Sequence, residues 1–223
     1  MTRPLHRLAL ALALALPVAT SALAADDVSK VNGSITASAG QAYGDLDTVN
    51  GSIRIDDGVQ AKDASTVNGS ITVGNDAQVG GLETVNGAIR SGRDLTASGS
   101  VETVNGSIFI DHGSHIQGGV ETVNGAIGLV GTQVGGNVET VSGDITIGVG
   151  SHVRGGVKVQ RSVGFFNTGS KRTPRIVIGP DAVVEGPMEF QRTVRLYVHA
   201  SARTGAITGA EAVRFDSDTA PQD

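Results

Sequence analysis

The sequence predicts an all-β chain wound as a single-stranded parallel β-helix, with about nine triangular coils of 18–19 residues. Three observations carry that expectation. First, the phrase Val49-Asn50-Gly51-Ser52-Ile53 returns at Val31–Ile35, Val67–Ile71, Val85–Ile89, Val104–Ile108 and Val123–Ile127, and in altered form at Val141–Ile145. Successive valines stand 18, 18, 18, 19, 19 and 18 residues apart. Second, an Asn-Gly in six repeats, 32 glycines and abundant Val, Ile and Thr disfavour helix and favour short strands joined by turns. Third, each repeat has three apolar positions about six residues apart, as in Val49, Ile55, Ala61 and Val104, Ile110, Ile116. It also has three turn signals, which in the fifth repeat are Asn105-Gly106, His112-Gly113 and Gly118-Gly119.

Asn-Gly also marks two-residue hairpins, so an antiparallel meander competes with the coil. Three strands and three corners per repeat favour the coil. Coils spaced by ~4.8 Å give a rod ~43 Å long. An aromatic content of 3% suits an interior too narrow for large rings.

In chain order, residues 1–24 read as a signal peptide. Arg3, His6 and Arg7 precede an apolar run from Leu8 to Val18, and Ala22-Leu23-Ala24 gives the small-x-small pattern cut by signal peptidases. The run is too short to span a bilayer, and no transmembrane segment is expected after its removal. Residues 25–160 are the regular coils. Residues 161–175 read as a basic loop leaving the coil, 176–215 as divergent C-terminal coils and a cap, and 216–223 as a disordered acidic tail. The fourth repeat is the poorest in apolar residues, with Val85, Ser91 and Ala97 at the six-residue positions. Without cysteine, disulfides and thiolate metal sites are excluded.

Charge is uneven along the chain. Residues 25–153 carry 5 basic and 15 acidic side chains, whereas 154–175 carry Arg154, Lys158, Arg161, Lys171, Arg172 and Arg175 with no acid. An acidic shaft with a basic collar suits steering of an acidic partner or of a second copy.

Stacking the repeats generates columns. Asn32, Asn50, Asn68, Asn86, Asn105 and Asn124 form one, expected to be a structural ladder of side-chain amides at a corner, where Asn and the following Gly accept the left-handed turn conformation. Glu83, Glu102, Glu121 and Glu139 form another, whose carboxylates are expected to point into solvent. The six-residue spacing places Val49 and its equivalents among the inward apolar positions. Thr48, Thr66, Thr84, Thr103, Thr122 and Thr140 make a single rank, unlike the paired ranks of an ice-binding plane. His112, His115 and His152 read as surface residues, with His115 and His152 on one track with Gln60, Gln78, Thr96 and Gln133. No metal site, cofactor or catalytic constellation is expected.

The repeats Glu102–Ile108 and Val141–Ile147 resemble those of a bacterial adhesin family with a β-helical domain. Ile176–Gly186, reading Ile-Val-Ile-Gly-Pro-Asp-Ala-Val-Val-Glu-Gly, is similar to coils of the bactofilins, polymer-forming β-helical proteins. Both resemblances imply a right-handed helix; the hexad alone also describes the left-handed helix of hexapeptide acyltransferases. A signal peptide departs from the cytoplasmic bactofilin pattern.

The expected function is that of a non-enzymatic, exported structural or adhesive protein of the cell envelope, in the periplasm or at the cell surface, capable of self-association. The alternative is a binding module for acidic glycans or lipid head groups. Its site would be a loop surface formed by Arg161, Phe165, Phe166, Lys171, Arg172 and Arg175. A second alternative is an enzyme acting on polysaccharide, which would need longer coils and protruding loops. No nucleic-acid partner is expected.

Overall fold

A computed structural model describes residues 25–161 and 172–222, and its strands form three parallel sheets wound as one solenoid. The expected signal segment lies outside the described residues, as do Phe165, Phe166 and Lys171 of the expected loop. The first sheet has ten strands, from Val28–Asn32 to Ile207–Thr208, and the second has ten, from Ile35–Ala37 to Ala212–Phe215. The third has seven, from Gln78–Val79 to Arg203–Thr204, and single bridges Ala42–Gln60 and Gln60–Gln78 prolong it toward the N-terminal end. The chain thus completes nine coils and adds two faces of a tenth. No helix occurs among the described residues.

Register follows the repeat. Ile108 lies between Ile89 and Ile127 in the second sheet, and the same track runs from Ile35 to Leu196. His115 and His152 share a third-sheet track with Thr96 and Gln133, as the spacing predicts. Inward columns of Ile, Leu, Val and Ala fill the bore almost without exposure. The fourth repeat puts Ser91 into this core, where its hydroxyl accepts from the Asp111 N–H at 3.3 Å. In the later coils Ser114, Thr132 and Ser151 are also fully buried. The Ser114 hydroxyl accepts from Leu95 N–H, and the Ser151 hydroxyl from Thr132 N–H.

The structure corrects one expectation about the first sheet. Val49 and its equivalents face out, and the threonine one residue earlier faces in. Strand alternation makes this an either-or choice: Leu46–Asn50 buries Leu46 and Thr48 and exposes Val49. The reason lies at the corner. Among the described residues, no backbone N–H reaches the carbonyls of Gly33, Gly51, Gly69, Gly87 and Gly106. The hydroxyls of Thr48, Thr66, Thr84, Thr103 and Thr122, from the coil above, donate to them at 2.8–3.0 Å. An inward valine would fill the same volume and leave each carbonyl unpaired.

The corner glycine takes the expected positive φ at Gly33 and Gly125, 116° and 153°, and has a second role along the whole column. Among the described residues Asp76, Asp94 and Asp181 are the non-glycine residues with positive φ, so the ladder asparagines do not adopt that conformation. Glycine is required by crowding. A Cβ on Gly51, Gly69, Gly87, Gly106, Gly125 or Gly143 would lie 1.5–2.3 Å from the carbonyl oxygen of the glycine one coil below.

Two substitutions test the register. Ile108→Asp buries a charge with no partner and should cost more than about 4 kcal/mol, whereas exposed Ser107→Asp should change stability by less than about 0.5 kcal/mol. Equal shifts in urea midpoint would contradict the inward assignment. Thr103→Val keeps the volume but orphans the Gly87 carbonyl, and should cost about 1–3 kcal/mol in the same measurement.

Candidate binding surface

The outer face of the first sheet is chemically regular, built from three adjacent columns. At its edge, the side-chain amide of each ladder asparagine donates to the Oδ1 of the asparagine one coil below. Five such bonds, 3.0–3.1 Å long, run without a break from Asn124 down to Asn32. The ladder is continuous because parallel in-register pairing places Asn50 on Asn32, Asn68 on Asn50, and so on upward. Ser142 occupies the next corner and the chain of amides stops there.

One residue before the ladder stands the valine column. Val31, Val49, Val67, Val104 and Val123 account for five of the eight large apolar side chains exposed among the described residues. Two residues before each valine is an outward polar position. Read upward, the aligned track is Ser29, Asp47, Ser65, Glu83, Glu102, Glu121, Glu139, Lys158, Glu189 and Thr208. Four consecutive carboxylates line a groove of about 280 Å³ with Val104, Val123 and Val141, closed at one end by Gln160. Gln160 donates to Glu139 at 2.7 Å, and Asn137 donates to the other Glu139 oxygen at 3.1 Å. Burial raises the Glu121 carboxyl above its ordinary 4.5; Glu139 and Glu102 on either side add to the rise, and Lys158 opposes it.

The basic segment is divided by the fold. Val157–Val159 of the first sheet stands before it and Arg175–Ile178 of the second ends it. The Arg161 backbone N–H donates to Gln191 Oε1 at 3.3 Å. Arg172 pairs with Asp144 at 2.5 Å, and Asp144 also accepts from the Arg175 backbone at 2.8 Å. The Arg175 guanidinium lies 4.9 Å from the Tyr197 ring centre and donates to the Pro221 carbonyl at 2.8 Å. That last bond draws the C-terminal segment across the second sheet. A cavity of about 830 Å³ lies between them, lined by Val149, Val177, Pro180, Phe215 and Ala220 among others. Neither Asp144 nor Tyr197 stood out in the sequence; their only signal is a place one coil below or above the basic segment.

The histidines have local partners. His112 pairs with its neighbour Asp111, whose carboxyl is held below its ordinary value chiefly by the His112 backbone N–H. His115 Nδ1 lies 2.9 Å from the Gly113 carbonyl, and His152 Nε2 lies 2.6 Å from Glu185. Among the described residues no three His, Asp or Glu side chains converge as a metal-binding group.

The raised Glu121 value has a definite consequence. The folded state holds that proton more tightly than the unfolded chain, so ionising the group removes stability as pH rises from 4.5 through the folded value. Glu121→Gln should therefore melt higher than the parent at pH 7. Calorimetry across pH should show the difference vanishing below pH 4.5 and shrinking with added salt.

Comparison of the chain with protein-family models, with curated proteins and with solved structures found no match.

Proposed function

We propose that this protein is a non-enzymatic, exported structural or adhesive module of the bacterial cell envelope, similar in kind to the β-helical adhesins and bactofilins. The observation that carries the reading is the registration of the coils, which stacks like side chains into columns on the first face, six asparagines at its edge and four consecutive glutamates beside them. Such a surface offers many equal, weak contacts along a line. That suits adhesion to an extended partner or packing against another rod, where avidity replaces a single deep site.

Export is supported by the charged start, apolar run and Ala22-Leu23-Ala24 of the first 24 residues. The absence of cysteine leaves the stack to hold itself by backbone ladders and packing alone, in any redox environment.

The test is fractionation of cells expressing the full chain, followed by N-terminal sequencing and a pull-down against envelope glycans. The expected product lies in the periplasmic or surface fraction and begins at Ala25 or Asp26. Cytosolic protein that keeps Met1 would overturn the envelope assignment. Turnover of any polysaccharide by the purified chain would overturn the non-enzymatic one.

A further inference from the structure

The valine column raises a specific question, because a stacked β surface rarely leaves its apolar residues outside in a line. Exposure runs from 68% at Val31 through 42%, 41% and 40% at Val49, Val67 and Val104 to 38% at Val123. These side chains are rigid and β-branched, repeat at the coil spacing of ~4.8 Å, and sit on a flat face. The alternative orientation, with valine inside, was open to the chain and is excluded by the threonine–glycine bonds described above. The stripe is thus a consequence of the corner, and exposed apolar patches of this extent mark interaction surfaces.

We propose that this face is an interface between two copies of the chain, packed side by side with their rods parallel. The proposal names the partner in the self-association reading and rests on that reading. The valine column and the asparagine ladder run together over six coils, from Val31–Asn32 to Val123–Asn124, or ~29 Å. With strands ~17 Å long this gives ~500 Å² per copy, or ~1,000 Å² in total, the lower size of a specific interface and that of a concentration-dependent dimer.

The order of the columns sets the direction. Carboxylates lie on one side of the valines and the asparagine ladder on the other. A two-fold axis running along the rod places valine on valine, with each carboxylate column opposite the partner's amides. Glu83, Glu102 and Glu121 share their coils with Asn86, Asn105 and Asn124, so the match holds coil for coil. The amides have capacity for it. Each side-chain NH₂ carries two donors, and the ladder uses one. A two-fold axis across the rod would instead set carboxylate on carboxylate, which like-charge repulsion disfavours. The contact is isologous, and it closes as a dimer without extending into a filament.

The absence of cysteine makes the test clean. Sedimentation equilibrium of the mature chain, residues 25–223, should show a dimer. The double variant Val49→Lys, Val104→Lys should weaken dimerisation by more than about tenfold. Its melting temperature should stay near that of the parent, since exposed positions carry little stability. Single-cysteine variants Val49→Cys and Val104→Cys, treated with a short bismaleimide, should each link to themselves. A mixture of Val49→Cys and Val123→Cys should give no mixed product. Mixed links without self-links would establish the antiparallel arrangement and overturn the proposal. A double variant that dimerises like the parent would overturn this interface and leave association through the coil ends. A parent monomeric at high protein concentration would remove self-association altogether. Envelope localisation is read by a separate experiment and stands or falls independently.

Discussion

The backbone hydrogen bonds that join one coil to the next also decide which side chain stands above which, and most of the molecule's chemistry descends from that registration. Parallel pairing at the repeat distance brings asparagine over asparagine, threonine over threonine and glycine over glycine. Where the repeated residue has complementary donors and acceptors, repetition stabilises: each amide of the ladder both gives and receives. Where it carries one charge, repetition opposes ionisation, as at Glu121, whose carboxyl is raised first by burial and further by Glu139 and Glu102 on either side. The same constraint acts on backbone atoms. Glycines at the first corner come so close to the carbonyl below that a methyl group has no room.

That close corner links three features that look independent in the chain. Coils can approach only with glycine at the corner. The approach leaves a glycine carbonyl without a backbone donor, and threonine must turn inward to supply one. Strand alternation then sends the next residue, valine, to the surface. One packing requirement thus fixes the corner, a polar column in the core and an apolar column outside. Buried hydroxyls recur on the third face at Ser114, Thr132 and Ser151, again each with a backbone partner. The narrow bore tolerates polar atoms where a hydrogen bond is already waiting.

The stack keeps its register on both sides of the basic segment. Ile176 lies directly above Ile145, and Asp144 receives both Arg172 and the Arg175 backbone. Larger side chains then fill the last coils, including Met188, Phe190 and Phe215. Phe215 packs edge-on against His199, with ring centres 5.1 Å apart. The C-terminal residues described as far as Gln222 lie against the second sheet, where Arg175 holds the Pro221 carbonyl.

How much was legible follows from what each signal depends on. The coil, its period, the inward Ile108 track, the asparagine column and the shared track of His115 and His152 could be read because they depend on spacing alone, and stacking turns spacing into position. The facing of Thr48 and Val49 could not. Adjacent residues of a strand always point to opposite sides, and hydropathy prefers valine inside; the outcome turns on a carbonyl one coil away that only the folded corner leaves unpaired. The glycine was read as a matter of φ, which holds at Gly33 and Gly125, yet along the column its need arises from the distance between coils. Arg172 and Arg175 were legible as charge, but their partners Asp144, Tyr197 and Pro221 lie 28, 22 and 46 residues away along the chain. The sequence by itself determined the repeat, and with it the columns. The tertiary structure decided which columns face water, because that choice belongs to the contacts between coils.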